Sequence, residues 1–352
     1  MRSLEAVRGR LMALLAFGSL GPALQFSGFF WDVRWHTIKG RDSFFVAPHN
    51  VAYGGMVVVF AMGVLGCWLL RKHVDGGLRG LWKDPVGRGF VGMVAGGALM
   101  FVYGGIDDLF HRSVGLDNSI WSPPHIAILT GMLLGGAGVV AALRGLEQEP
   151  GRDGFGRGKW KAAEFLAIVV LMGNFGVMTV MLGQMERFLL RREMMWYMPM
   201  VAMMGSLAYT MAAQITPRFG FASAAALAYT FMRITAQAIM VLTGFDTDIT
   251  APVWIFPAAI VLDVVLRKKS QGAFLAGIAL FGPIFLLAEQ GSRLVLGVPA
   301  AWHPVEVLSA MVMMALFSLG GGLAGNNLAA LMRGDRTVGD DAPRPDPDAP
   351  AA

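Results

Sequence analysis

Apolar runs of about 20 residues recur from one end of this chain to the other, and few folds can accommodate them. Ten can be marked, at about 11–31, 51–70, 89–106, 126–143, 162–183, 196–213, 220–244, 251–266, 272–289 and 305–331. A helix of that length crosses the roughly 30 Å hydrocarbon core of a bilayer and satisfies its backbone N–H and C=O groups internally. The pattern predicts an all-α polytopic membrane protein with about ten transmembrane helices. Composition agrees, since 15% of the 352 residues are charged where a soluble domain carries about 25%.

The charges that remain mark the topology. Most of the 29 lysines and arginines fall between alternate runs: in 2–10, 71–88 and 144–161, at Arg218, in 267–269 and from 333 onward. Cytoplasmic loops collect positive charge, so both termini are expected on the cytoplasmic side of a bacterial-type inner membrane. These loops account for the pI of 9.6, and no nucleic-acid partner is implied. The partner that composition implies is the lipid bilayer. The single cysteine, Cys67, lies inside an apolar run, which leaves no intrachain disulfide and no thiolate metal cluster within this sequence.

Two polar stretches interrupt the pattern and repeat one another. The first places Asp32, His36, Gly40, Asp42, Pro48 and His49 in order, and the second Asp107, His111, Gly115, Asp117, Pro124 and His125. The offset is 75 residues at the aspartates and 76 at the last histidines, and Gly55 and Gly131 keep the longer value. Four of the six histidines sit in this repeat. An Asp and a His four apart share one helical face, a turn above one another. Two imidazoles and one carboxylate suffice to bind copper, iron or zinc, with positions left open for water or substrate. Pro48 and the Pro123–Pro124 pair suit a first helical turn, and Ser122 suits an N-cap. His49 and His125 would then open a second helix and face back toward the Asp/His pair. The expected metal ligands are Asp32, His36 and His49 at one site, and Asp107, His111 and His125 at the other. Ionisable groups at a bilayer boundary are costly unless used, which favours ligation over simple capping.

The first four runs thus read as a tandem duplication of a helical hairpin, residues 1–145, with both sites toward the outer, periplasmic side. The first run follows Arg2, Arg8 and Arg10 as a signal peptide would. It is nevertheless the counterpart of 89–106, and is expected to be retained. The Gly- and charge-rich stretch 144–161 separates this unit from a six-helix unit of unknown role, 146–333, that lacks the repeat. Residues 334–352 are polar and Pro-rich and are expected to be disordered.

Asp-x3-His-x12-His followed by Asp-x3-His-x13-His resembles the C subunit of the particulate methane and ammonia monooxygenases, the copper membrane monooxygenases, over about residues 10–145. One site of that subunit reads Asp-x3-His-x12-His and the next Asn-x3-His-x13-His. Asp32, His36 and His49 match the first, and His111 and His125 match the second. Asp107 stands where the family has Asn, which adds charge and hardness. The resemblance implies copper at both sites and a copper-dependent monooxygenase, or a subunit of one. The reaction would be dioxygen-dependent oxidation of a small substrate such as methane, ammonia or a short hydrocarbon, with companion subunits or a homo-oligomer as partners. The alternative is a non-enzymatic metal transporter, metal-loading factor or sensor. For a transport path the spans offer only Asn174, Arg233 and Gln237.

Other polar residues have blander readings. Asp42 and Asp117 follow glycines and suit turns, or could accept a hydrogen bond from a ligand imidazole. Asp108 lies about 100° around the helix from Asp107, off the ligand face. His303, Glu289, Asp246 and Asp248 reach the outer side, where capping is the simpler role. Arg233, deep in a run, calls for a partner, and Asp263 and Glu289 are candidates. The methionines around 194–204 suit gap-filling between helices better than a copper(I) relay.

Overall fold

The helices begin and end where proline, glycine and charge place them. A computed structural model describes residues 4–39, 44–114, 122–147, 161–189, 197–215, 218–242, 244, 254–266, 268, 270–295 and 304–333. Asp42, Asp117, Asp246, Asp248, His303 and residues 334–352 lie outside this set. Among the described residues the chain is all-helical. In order come α1 (Glu5–Ile38), α2 (Ala47–Leu70), a short 3-10 turn (Gly77–Gly80), α3 (Pro85–Val114), α4 (Pro123–Glu147) and α5 (Ala162–Leu189). Then follow α6 (Tyr197–Ile215), α7 (Phe221–Leu242), α8 (Phe256–Leu266), α9 (Gln271–Val295) and α10 (Pro304–Arg333).

Among the described residues six, α1 to α4, α9 and α10, are long and apolar enough to cross a membrane, which makes the chain an integral membrane protein by length and composition. Helix α8 has 11 residues and a length of about 16 Å, about half of a hydrocarbon core. It is therefore too short to be the eighth span that the apolar run suggested. Helix α1, with 34 residues, is about 51 Å long, and α3, with 30, about 45 Å. Their surplus length carries Asp32 and Asp107, near their C-terminal ends, toward the rim of the apolar span.

The hairpins α1–α2 and α3–α4 close on glycine. A β-carbon on Gly55 would fall 2.6 Å from the Gly21 carbonyl oxygen and 2.9 Å from Gln25. One on Gly131 would fall 2.7 Å from the Gly96 carbonyl oxygen and 2.7 Å from Met100. Gly21, Gln25 and Gly55 correspond to Gly96, Met100 and Gly131 at the offsets of the sequence repeat, so both hairpins use the same contact. Small residues permit such backbone approach, and van der Waals packing then stabilises the pair in lipid.

Helix α2 also packs on α3, and α5 packs on both α1 and α4. One apolar core runs from Val7 and Leu11 in α1 through Phe175, Tyr209 and Tyr229 to Ala329 in α10. At the end of the bundle where α1 begins, charge joins the helices. Glu147 pairs with Arg8 at 2.7 Å and Lys161 at 3.2 Å, while the fully buried Glu164 pairs with Arg218 at 2.8 Å. Arg8 also donates to the Leu146 carbonyl. In α8, Asp263 accepts a hydrogen bond from the Ser223 amide at 2.8 Å, placing a carboxylate at the N-terminus of α7 where helix polarity favours it.

Candidate metal centre

Asp107 and His111 are one turn apart on α3, and Pro123 and Pro124 open α4 so that His125 sits in its first turn. Proline is tolerated there because the first amide hydrogens lack intrahelical partners in any case. The result is convergence. Asp107 Oδ1 lies 3.3 Å from Nε2 of His111 and 3.3 Å from Nε2 of His125. One ligand atom from each residue lies within 4.8 Å of those of the other two. The imidazole centroids are 5.6 Å apart. The side chains of His111, Asp107 and His125 are 6%, 12% and 25% exposed, so the cluster opens on the His125 side.

These separations fit a metal ion. With bonds of about 2.0–2.1 Å to nitrogen and oxygen, the edges of a tetrahedron are about 3.3 Å long. Two neutral imidazoles and a carboxylate suit zinc, copper or iron(II), and the set does not choose among them. The Asp107, His111 and His125 cluster can hold a metal ion.

The first repeat is built alike where it can be described. Asp32 Oδ1 lies 2.9 Å from His49 Nε2, with the two side chains 16% and 15% exposed. His36 occupies the helical position one turn beyond Asp32, but its side chain lies outside the description. Nδ1 of His49 is 2.9 Å from the Phe44 carbonyl oxygen, which can only accept, so this nitrogen carries hydrogen and Nε2 faces Asp32. The His49 ring also lies beside Tyr53, with centroids 5.7 Å apart.

In the second repeat, Nδ1 of His125 is 2.9 Å from Ser122 Oγ. The serine stands at the N-cap position, as its sequence context predicted, and its hydroxyl engages the histidine. Below both pairs, Phe26, Phe30, Met56, Met100, Leu129 and Met132 form a separate apolar cluster. Each lies within about two helical turns of a ligand position.

The remaining sequence candidates are placed elsewhere or outside the description. Asp108 forms an ion pair with Arg112 at 2.6 Å and takes no part in the cluster. Glu289 is buried and accepts a hydrogen bond from the Trp254 amide at 3.1 Å. The guanidinium of Arg233 lies over the Phe30 ring, 4.4 Å from its centroid, and among the described residues its buried Nη1 has no hydrogen-bond partner. Neither Asp263 nor Glu289 is its ion-pair partner, because a ring face takes that place. Asn174 donates to the Leu133 carbonyl at 3.4 Å and fits against Gly136, joining α5 to α4. Of the methionines, Met198 is buried, and Met200 and Met204 pack against the same core. Two contacts of the histidines escaped the sequence reading. The Phe44 carbonyl carries no side-chain signal, and Tyr53 follows His49 by one helical turn without any motif to mark it.

Comparisons with protein-family models, with curated proteins and with solved structures find no match to this chain.

Proposed function

We propose that this chain is a copper-binding membrane protein acting in dioxygen-dependent oxidation of a small substrate, as the C subunit of the copper membrane monooxygenases does. Methane, ammonia and short hydrocarbons are the substrate class that this likeness suggests. The observation that carries the reading is the convergence of Asp107, His111 and His125. Their spacing, Asp-x3-His-x13-His, is the one that the motif likeness had singled out. The approach of Asp32 and His49 supports a second site of the same design, with His36 as its third ligand. The shared glycine contact at Gly55 and Gly131 supports reading the two hairpins as copies of one unit.

Bound copper would supply the redox chemistry, and the chain supplies the ligands and the apolar floor beneath them. His125, the most exposed ligand, leaves the outer face of the centre approachable. The distribution of basic residues supports a periplasmic side for both centres and a cytoplasmic side for the termini. Companion subunits or further copies of the chain complete the assembly in this reading.

The transport alternative gains little from the fold. Asn174 and Arg233, two of its three polar candidates, are engaged in helix contacts with the Leu133 carbonyl and the Phe30 ring. The deciding experiment is elemental analysis, with an electron paramagnetic resonance spectrum, of protein purified in native-like lipid. Copper near two equivalents, lost in the double variant His36→Ala with His111→Ala, supports the proposal. Metal content unchanged in that variant refutes the site assignment. Uptake of metal into proteoliposomes without oxygen consumption would favour the transporter.

A further inference from the structure

The two hairpins orient their second histidine by different means. In the first, the residue three before His49 is Val46, which has no hydrogen-bonding side chain, and the Phe44 carbonyl holds Nδ1 at 2.9 Å. In the second, the residue three before His125 is Ser122, and its hydroxyl holds Nδ1 at 2.9 Å. Val46 and Ser122 are counterparts at the 76-residue offset. A carbonyl oxygen can only accept, whereas a hydroxyl can accept or donate.

That difference has a chemical consequence at His125. Its Nε2 lies 3.3 Å from Asp107 Oδ1. When no cation lies between them, the favourable tautomer has hydrogen on Nε2, directed at the carboxylate. Nδ1 then bears the lone pair, and the serine hydroxyl donates to it. To ligate a metal, Nε2 must present its lone pair instead. Hydrogen then sits on Nδ1, and the serine accepts from it. Only a group that can play both parts supports the ring in both states without moving it. Ser122 is buried.

We propose that Ser122 is a positioning residue of the Asp107, His111 and His125 centre, with its hydroxyl holding His125 in whichever tautomer the centre requires. This deepens the metal-binding reading and rests on it. Outer partners of this kind are worth roughly 10–100-fold in metal affinity.

The test uses full-length protein in lipid nanodiscs carrying His49→Ala, so that copper(II) reports on the second centre alone. Affinity is measured by titration with copper(II). Pulsed electron paramagnetic resonance reads the coupling of the remote imidazole nitrogen, which responds to the hydrogen bond at Nδ1. Ser122→Thr keeps the hydroxyl, while Ser122→Val has nearly the shape of Thr without it and copies the first hairpin. The expected result is that Ser122→Val loses roughly tenfold or more in affinity with a changed remote-nitrogen coupling, and that Ser122→Thr retains both. Equal affinity and coupling in the two variants overturns the proposal, as does equal loss in both, which would indicate mere disturbance of the α4 start. Should Ser122→Val lose helicity, Ser122→Ala replaces it under the same criteria. If the His49→Ala parent itself binds no copper, the metal reading fails before the role of Ser122 is reached.

Discussion

Gln25 Nε2 donates to the thioether of Met100 at 3.5 Å, and these two residues stand at the same position in successive hairpins, 75 residues apart. The contact joins α1 to α3, and so one hairpin to the other, at matching positions of the sequence repeat. Each half owes its closure to a glycine contact, which gives the arrangement a direct test.

Gly131→Val and Gly55→Val should each destabilise the bundle. The atoms that a β-carbon would meet include backbone carbonyl oxygens, at 2.7 Å for Gly131 and 2.6 Å for Gly55, and backbone cannot rotate away as a side chain can. Overpacking of this kind costs about 1–3 kcal/mol. Gly54, one residue away with nothing within 4 Å of its β-carbon position, should accept Ala without loss. Thermal unfolding in nanodiscs measures all three. Metal retention should fall at the Asp107 centre with Gly131→Val and at the Asp32 and His49 pair with Gly55→Val.

Arg218→Met should be strongly destabilising. Glu164 is fully buried and its partner side chain is only 10% exposed, so removing Arg218 takes the ion-pair partner from a buried carboxylate whose other oxygen accepts from the Lys161 amide. Breaking a buried pair from one side costs about 3–5 kcal/mol, whereas replacing both partners with apolar residues is often neutral. The double variant Arg218→Met with Glu164→Met should therefore unfold closer to the parent than Arg218→Met does. The reverse order in a thermal melt would show that the pair is not the cohesive element of that end of the bundle.

Much of this architecture could be read from sequence because bilayer constraints are so coarse. Apolar length located the helices, and prolines at 48 and 123–124 located the starts of α2 and α4. The spacing of Asp107, His111 and His125 was sufficient because helical periodicity fixes the first two and a short connection limits the third. Periodicity says nothing about groups without a pattern. The Phe44 carbonyl belongs to the backbone, and Ser122 looked like a helix cap because the same position serves both roles. Arg233 seemed to need a carboxylate, but its guanidinium lies over the Phe30 ring, an attraction that charge-based pairing does not anticipate. An apolar run also overstated α8, since apolarity measures what a segment can face and not how far its helix extends.

Arg233→Met should be at least as stable as the parent. The residue holds a charge against Phe30, and among the described residues its buried Nη1 has no hydrogen-bond partner, so an apolar side chain of similar length removes a desolvation cost. Arg233→Lys should be less stable than either, because a compact, strongly hydrated ammonium is costlier to bury against the ring than a guanidinium. Melting temperatures rank the three. A lower value for Met than for Lys would mean that the positive charge, rather than the stacking, is what the site requires.

Asp107→Asn makes the second centre match the monooxygenase pattern, and its effect should depend on the ion. Asp107 Oδ1 lies 3.3 Å from Nε2 of each histidine, so it sets the charge of the cluster. The neutral amide keeps an oxygen ligand while removing one negative charge. Harder divalent ions depend on that charge more than soft copper(I), which nitrogen ligands satisfy. Affinity for zinc(II) and copper(II) should fall by roughly tenfold or more, by analogy with other losses at metal centres, while copper(I) binding changes less. Asp107→Ala, which removes the oxygen as well, should weaken all three. Competition titrations with chelators of known affinity measure each ion in turn. Equal losses for copper(I) and zinc(II) in Asp107→Asn would mean that the carboxylate acts by positioning the imidazoles and not by its charge.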